Sequence, residues 1–210
     1  MRKPPRFLYV DERETPATAY PREKLGCAEI SSYNLHRGTY EMYGVNGYKY
    51  FVAEKKLKGT ELLIKRKVWM VDDPPHYYAM LDHAQHYKGH VLCAGLGLGL
   101  IVHALSENPR VKQITVIERE QDVINLVGPQ LPRGNKIKIL HGDFWDLNAW
   151  VMDKVDGVFY DLFVGDGKEL WPQAMRVWFE LHEAWPRTVR RIHGFNNEQL
   201  ESLDKLIERL

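Results

Sequence analysis

The chain has 210 residues, of which 44% are hydrophobic and 27% charged, as expected for a globular protein with one substantial core. Its 29 basic and 28 acidic residues nearly cancel, which argues against a dedicated nucleic-acid-binding protein but leaves room for a local basic patch. No apolar stretch is long enough to span a bilayer, and the Arg- and Pro-rich beginning is unlike a signal peptide. The two cysteines, Cys27 and Cys93, indicate reduced thiols and a cytoplasmic protein.

Residues 1–72 are predicted to form an N-terminal arm followed by a small antiparallel β-meander. The stretch 1–37 has no clear hydrophobic period and is expected to be irregular. Asn46-Gly47 is a strong signal for a two-residue hairpin, because both positions tolerate positive φ. The predicted strands are 39–43, 48–53 and 61–71, with a second turn at Lys58-Gly59-Thr60.

Residues 73–210 are predicted to form a Rossmann-like α/β domain. Pro74-Pro75 begins a helix on which Tyr77, Met80 and Leu81 recur at helical spacing. From His90 onward, apolar strands alternate with helices, which predicts right-handed βαβ units and a parallel sheet of about five strands. The predicted strands are 90–94, 113–118, 136–141, 157–162 and 188–192, and the predicted helices are 98–107, 121–131, 144–152, 168–184 and 198–210.

The segment Gly95-Leu96-Gly97-Leu98-Gly99 follows a fully apolar strand and precedes a predicted helix. Glycines at such a junction let the backbone turn sharply and approach a ligand closely. A glycine turn alone is also found in tight strand–helix connections without a ligand. The segment does not complete a nicotinamide fingerprint, because Leu100, the third residue after Gly97, stands where Gly-x-Gly-x-x-Gly requires glycine. No Gly-Lys-Ser/Thr follows, which also disfavours a nucleoside-triphosphate loop.

Two acids strengthen the case for a ligand. Glu118 ends the second predicted strand, where a carboxylate can accept both hydroxyls of a ribose. Asp143 follows the third strand, at the tip expected to lie beside an adenine ring. Each acid taken alone could instead cap the next helix. Their placement at successive strand tips, after the glycine loop, favours an adenosine cofactor.

Residues 90–165 resemble the core of the class I S-adenosylmethionine-dependent methyltransferase superfamily, and more narrowly its spermidine synthase branch. The order of a β-rich N-terminal region, Asp72-Asp73, the aromatic segment Tyr77–Leu81 and the glycine strand is similar to that branch. The resemblance implies that the glycine loop, with Gly95, Gly97 and Gly99, cradles the amino-acid part of S-adenosylmethionine or of its decarboxylated form.

By the same resemblance, Glu118 would bind the ribose and Asp143 the adenine. Asp161, at the tip of the fourth strand, falls on the acid that helps to deprotonate an attacking amine in aminopropyltransferases, and Tyr77 would shape the acceptor pocket with it. The chain departs from that branch at Val164, where a second acid is expected, and at Tyr78-Ala79, where His-Glu is expected; Asp166 is offset. These departures weaken the case for a polyamine reaction more than the case for a methyl transfer. Methyl transfer needs a correctly oriented nucleophile and sulfonium, and it needs no metal.

Three functions follow from these residues. The first is a methyltransferase acting on a small-molecule acceptor, and the second is an aminopropyltransferase acting on a polyamine. The third is a cofactor-binding regulatory or assembly protein without catalysis. Compared with a seven-stranded methyltransferase sheet, the predicted sheet is shortened at its C-terminal end, and the exposed sheet edge suggests a homodimer.

Other features have simpler interpretations. The histidines around the aromatic helix lack a completing ligand set, so no metal site is expected. The lysines and arginine of 55–58 and 65–67 are expected to form a solvated basic hairpin, which is also where a nucleic-acid substrate would bind if the protein had one. A nucleic-acid or membrane partner is not expected. Trp171, Trp178 and Trp185 are spaced seven apart on one predicted helix, which is typical of a core or subunit interface.

Overall fold

The main sheet has five parallel strands: β8 (Gly89–Ala94), β9 (Val111–Glu118), β10 (Ile137–His141), β11 (Gly157–Tyr160) and β12 (Ile192–Gly194). They lie in the order β10-β9-β8-β11-β12. The structure is a computed structural model, and it describes residues 8–9, 14–44, 47–146, 155–162 and 192–194. The chain therefore adds strands outward in one direction from β8 and then restarts on its other side, which places a topological switch point between β8 and β11.

Helices α2 (Leu100–Glu107) and α3 (Gln121–Val127) follow β8 and β9, and a 3-10 turn at Gly128–Gln130 extends α3. The last four residues of β8 are all buried, as expected for a central parallel strand covered on both faces. An earlier helix, α1 (Pro74–Ala84), begins after Asp73, whose side chain accepts the backbone N–H of His76 at 2.9 Å.

The N-terminal part of the chain forms two smaller sheets. Their strands are β1 (Leu8–Tyr9), β2 (Lys24–Leu25), β3 (Ala28–Leu35), β4 (Gly38–Gly44), β5 (Gly47–Ala53), β6 (Leu57–Ile64) and β7 (Lys67–Asp72). One sheet is antiparallel in the order β2-β3-β6-β7, and the other has the order β1-β5-β4, with β1 parallel to β5. A 3-10 helix at Pro16–Ala19 lies between β1 and β2 in the chain.

One contiguous apolar core joins the four-stranded sheet to the main sheet. Ile30 of β3 and Leu62 of β6 belong to the same buried cluster as Met80 of α1 and Val116 of β9. Burial of this apolar area is the main favourable term that holds the two parts together. The β6–β7 hairpin is thereby held against the carboxyl edge of the main sheet.

The predicted fold class is confirmed: a Rossmann-like parallel sheet of five strands with a small N-terminal antiparallel region. The described strands and helices of the main sheet begin and end within a few residues of their predicted bounds. Several predicted features lie outside the described residues: the tryptophan stripe, Val164, Asp166, residues 147–152 of the predicted helix 144–152, and the predicted helices 168–184 and 198–210. The division of the chain at residue 72 stays a prediction. In the ranges that the structure describes, no helix has the length and apolarity to cross a membrane.

The predicted turn at Lys58-Gly59-Thr60 is wrong, because these residues lie inside β6. Gly59 is opposite Tyr33 of β3, and a Cβ at Gly59 would lie 2.1 Å from Cε1 of the Tyr33 ring. The glycine therefore makes room for an aromatic ring across the sheet and does not mark a turn.

The single strand predicted at 61–71 is also wrong, because it is divided between β6 and β7 by a turn at Lys65-Arg66. Both turn residues have positive φ, +52° and +68°, which is what a two-residue hairpin requires. Non-glycine residues rarely adopt this conformation, so the sequence carried no turn signal there. The stretch 1–37 is likewise more regular than predicted, because it contains β3.

Candidate functional site

A pocket with a volume of about 390 Å³ opens at the carboxyl edge of the main sheet. Ala94 of β8 is level with Ile117 of β9 and Tyr160 of β11, so the residues that follow these strands meet at one edge. The β6–β7 hairpin forms the facing wall. The pocket is lined by Ile64, Val68, Trp69, Met70, Val71, His76, Gly95, Gly97, Ile117, Glu118, Arg119, Glu120, Asp143, Phe144, Trp145, Asp161 and Leu162. Its position at the switch point is where open α/β sheets bind ligands.

The glycine loop has three left-handed residues, with φ of +82° at Gly95, +52° at Gly97 and +74° at Gly99. Other residue types would be strained at all three positions. The N–H of Gly95 donates to the Ile117 carbonyl at 2.8 Å, which ties the loop to β9. A Cβ at Gly95 would lie 3.4 Å from the Asp161 carbonyl oxygen, so the loop also approaches the tip of β11 closely.

Gly97 faces the pocket beneath the side chain of Met70, from β7. The Met70 Sδ accepts the N–H of Leu98 at 3.2 Å, and it lies 2.5 Å from where a Cβ on Gly97 would be. The thioether therefore rests on the glycine loop. Since methionine is flexible, it can adjust to a ligand that approaches the loop from the pocket.

Gly99 has a different role from the other two glycines. It precedes the first turn of α2, it does not line the pocket, and a Cβ there would lie 2.4 Å from Cδ2 of Leu131. The requirement for glycine at this position is explained by the close packing of α2 against the residues that follow α3. The structure thus separates one of the three predicted cofactor-binding glycines from the pocket.

Glu118 is buried at the tip of β9, with 8% of its surface exposed. Its Oε2 accepts the N–H of Leu96 at 2.8 Å, and its Oε1 accepts the N–H of Glu120 at 2.8 Å. The side chain therefore holds the glycine loop on one side and the start of α3 on the other. A carboxylate accepts about four hydrogen bonds, so both oxygens retain capacity for ligand hydroxyls.

Asp143 is exposed at the tip of β10 and lines the same pocket. Its Oδ1 accepts the N–H of Trp145 at 2.9 Å, the kind of local contact that a capping residue makes. The next residue, Phe144, is buried, and its ring meets that of Trp145 edge to face at a centroid distance of 5.9 Å. Asp143 is therefore both a capping group and a polar group on the pocket wall.

Asp161 and His76 lie at the end of the pocket near β11 and the start of α1. Burial raises the pKa of the Asp161 carboxyl above its ordinary value, and the nearby His76 imidazole acts in the opposite direction. A carboxylate with a raised pKa is a better proton acceptor near neutral pH than an exposed one. This end of the pocket can therefore bind and deprotonate a nucleophile.

Tyr77 is not brought to this pocket. It lies on another face of α1 and lines a second pocket of about 430 Å³ with Thr15, His103 and Glu107. Its hydroxyl donates to Oε1 of Glu107 at 3.4 Å. The predicted pairing of Tyr77 with Asp161 is corrected accordingly: the residue of α1 that shares the pocket with Asp161 is His76.

Sequence reasoning missed His76, Met70 and Trp69 as lining residues of the pocket. A signal for His76 was present, because His76 and Met80 are four residues apart and share one helix face. Met80 is 1% exposed in the core, which directs that face toward the main sheet. Met70 and Trp69 carried no such signal, since their position depends on how the hairpin packs against the sheet.

The histidines near α1 make separate contacts in the structure. His83 is buried with its ring edge-to-face on Phe159, and the Nε2 of His90 lies 2.9 Å from the Thr115 hydroxyl. Across the residues that the structure describes, no three His, Cys, Asp or Glu side chains are grouped so that they could hold a metal ion.

No protein-family model matches the chain, and no curated protein sequence matches it. Solved structures are similar at low identity. Spermidine synthase from Thermotoga maritima is 12% identical with a TM-score of 0.45, over 75% of this chain and 62% of that one. MnmC2 from Aquifex aeolicus is 18% identical with a TM-score of 0.33, over 65% and 54%.

A spermidine synthase in complex with the transition-state analogue AdoDATO is 14% identical with a TM-score of 0.44, over 75% of this chain and 63% of that one. The chain therefore spans less than two thirds of the length of each of these three proteins. At these identities and TM-scores the similarity carries no information about substrate or chemistry.

Proposed function

We propose that the pocket binds S-adenosylmethionine or a close relative and that the protein is a transferase, most simply a methyltransferase. One observation carries the proposal. Four neighbouring parallel strands end beside one pocket at the switch point, and the residues at their tips that line it are Gly95, Gly97, Glu118, Asp143 and Asp161. Polar groups of that kind on a concave surface are typical of a cofactor site.

The residues present fit such a cofactor. Gly95 and Gly97 leave the backbone of the loop open to the amino-acid part of the ligand, and Glu118 has acceptor capacity for ribose hydroxyls. Asp143 and Trp145 are the groups on the wall where the adenine would bind. Gly99 supports this site through the packing of α2 and is not proposed as a ligand contact.

When bound, the cofactor would supply an electrophilic sulfonium carbon. Asp161 and His76 would hold the acceptor at the opposite end of the pocket and take up its proton. Orientation of the acceptor accounts for much of the barrier reduction that such a site can provide. A role for Tyr77 in the acceptor site is not proposed, because its side chain lines the second pocket.

Calorimetry with the purified chain tests this proposal. S-adenosylmethionine, its demethylated product and its decarboxylated form are titrated separately, and we expect micromolar binding of the first two. Binding of none of them overturns the proposal. A strong preference for the decarboxylated form would instead assign aminopropyl transfer, and tight binding with no turnover of any acceptor would assign a non-catalytic protein.

Two arginine variants locate the site. Gly97→Arg places a long side chain between the loop and Met70, and it is expected to abolish binding. Gly134→Arg is the matched control, because Gly134 also has positive φ, +143°, but has nothing within 4 Å of a Cβ. Retained binding in Gly97→Arg, or equal loss in both variants, would contradict the assignment of the site.

A further inference from the structure

The tip of the β6–β7 hairpin combines three cations with two exposed apolar side chains. We call the segment Lys65–Trp69 the basic–aromatic tip. Lys65, Arg66 and Lys67 are exposed, and Val68 and Trp69 are exposed over 45% and 37% of their surface. Val68 and Trp69 also line the rim of the cofactor pocket. Whatever binds this tip therefore lies beside the pocket entrance.

The cations of the tip are not neutralised within the described part of the chain. The ion pairs described there are Lys24–Glu29 and Arg119–Glu120, and neither includes a residue of the tip. The carboxylate of Asp122 accepts the N–H of Cys27, whose carbonyl accepts the N–H of Lys65. The hairpin is thus anchored through its backbone, and no ion pair within the described residues involves the side chains of its three cations.

The turn itself departs from what hairpin geometry prefers. Lys65 and Arg66 occupy the two central positions with φ of +52° and +68°. Asn-Gly is the favoured pair at such positions, because those residues tolerate positive φ without strain. The turn therefore holds two charged residues in a conformation that costs stability, next to Val68 and Trp69 of the pocket wall.

We propose that the basic–aromatic tip is a docking surface for single-stranded nucleic acid, which would be the acceptor of the reaction. This inference rests on the proposed transferase function. The three cations would bind successive phosphates, and Trp69 would stack on an unpaired base at the entrance of the pocket. The near-zero net charge of the chain is compatible with this, because the field that matters is local.

The pairing of an indole with the cations favours a nucleic acid over an acidic protein. Lys65, Arg66 and Lys67 could pair with phosphates or with carboxylates, but every nucleotide carries a base that can stack on an indole, whereas an acidic peptide offers a flat group only where it has an aromatic side chain. Stacking of aromatic side chains on bases is tolerant of sequence and is a regular feature of single-strand binding. A small-molecule acceptor held within the pocket would make no use of Lys65, Arg66 and Lys67, which do not line it.

The test is fluorescence anisotropy of a labelled 20-nucleotide single-stranded RNA with the full chain, at several salt concentrations. The variant Lys65→Gln/Arg66→Gln/Lys67→Gln removes three charges from the tip. The matched control, Lys55→Gln/Lys56→Gln/Lys58→Gln, removes three charges at the other end of β6. We expect the tip variant to weaken binding at least tenfold at low salt and the control to change it less than twofold.

The salt dependence gives a second readout. Each phosphate contact contributes about 0.7 to the slope of log Kd against log salt for single strands, so the tip variant should lower the slope by about 2. Trp69→Ala should weaken binding at least fivefold without changing the slope, and Trp69→Phe should retain most of the affinity.

A turn variant separates function from folding. Lys65→Asn/Arg66→Gly installs the preferred pair, so its unfolding midpoint should rise while RNA binding falls at least threefold. Unchanged RNA affinity in this variant and in the tip variant would overturn the inference. Polyglutamate is also added as a competitor of the labelled RNA. If it competes as well as unlabelled RNA does, and if Trp69→Ala does not change this, the surface would be assigned to an acidic protein and the inference would also be overturned.

Cofactor titration of the same variants distinguishes the two proposals. If the tip variant binds the cofactor normally and RNA poorly, both proposals stand. If neither wild type nor variants bind cofactor, the proposed function fails, whatever the RNA result. If wild type binds cofactor but not RNA, only the docking surface fails.

Discussion

Glu118 and Leu96 are joined by a hydrogen bond in which the carboxylate Oε2 accepts the loop N–H at 2.8 Å. The same carboxylate accepts the N–H of Glu120 through Oε1. One buried side chain therefore sets the distance between the glycine loop and the start of α3. The residue expected to bind the ribose is also the residue that shapes the loop beside it.

Glu118→Gln tests this double role. An amide has one oxygen where the carboxylate has two, so a backbone N–H would face an NH₂ group in the variant. We expect a loss of about 1–3 kcal/mol in the free energy of unfolding and at least a tenfold loss of cofactor affinity. Urea denaturation and calorimetry measure the two effects. Glu107→Gln removes the same charge outside the pocket and should leave cofactor affinity unchanged.

Gly97→Ala tests the close approach of Met70 to the loop. The variant should lose about 1 kcal/mol or more of stability, because alanine is strained at φ +52°, and Met70 must also move away from the new methyl group. Gly134→Ala has positive φ in open space and reports strain alone. Gly97→Ala should also weaken cofactor binding in calorimetry, because Met70 is crowded against the loop. If Gly97→Ala/Met70→Ala binds the cofactor as weakly as Gly97→Ala, then crowding by Met70 is not the cause of the lost affinity.

Asp161→Asn should separate binding from chemistry. Removal of a general base lowers the rate by about 100-fold or more, while cofactor affinity should change less than threefold. Because burial raises the pKa of Asp161, the wild-type rate should rise with pH through a value above that of an exposed aspartate, and the variant should lack this limb. Assays stopped at fixed times over a range of pH values measure the rates of the wild type and the variant.

Tyr77→Phe is the companion variant to Asp161→Asn. The Tyr77 hydroxyl lies in the second pocket against Glu107, so the rate and its pH profile should change less than twofold. A large loss of rate in Tyr77→Phe would restore the role that the sequence resemblance assigned to it. His76→Gln, by contrast, should alter the pH profile, since His76 faces Asp161 in the same pocket.

The buried carboxyl of Asp72 should give the protein an unusual dependence of stability on pH. It is 0% exposed, and burial raises its pKa to about 7, although Thr15 and Ala17 donate to its Oδ2. Between about pH 4 and 7 the folded protein therefore still holds a proton that the unfolded chain has already released. Across that window its contribution should lower the free energy of unfolding as pH rises, by up to about 1.4 kcal/mol per pH unit.

Urea denaturation at pH 4.5 and 7 checks this sign. Asp72→Asn should remove the decline, because it cannot titrate. Asp122→Asn is the control of opposite direction: the N–H of Cys27 lowers the pKa of Asp122, so its contribution is lost as pH falls. A decline with rising pH that persists unchanged in Asp72→Asn would show that another group causes it.

Much of the main sheet could be predicted from the sequence because its signals are local. An apolar run such as 91–94 has few alternatives to a central strand, and glycines directly after it predict a sharp strand–helix turn. Parallel strands share one carboxyl edge, so Glu118, Asp143 and Asp161 could be expected at the same site before any contact was known. These three acids could thus be named as candidates from the sequence alone.

Only the tertiary structure decided the rest, because it depends on contacts between residues distant in the chain. The phase of α1 turned His76, and not Tyr77, toward Asp161. Gly99 allows close packing against Leu131, and Gly59 leaves room for the ring of Tyr33. The basic–aromatic tip reached the pocket rim because a shared apolar core holds its hairpin against the main sheet, and no local pattern records that packing.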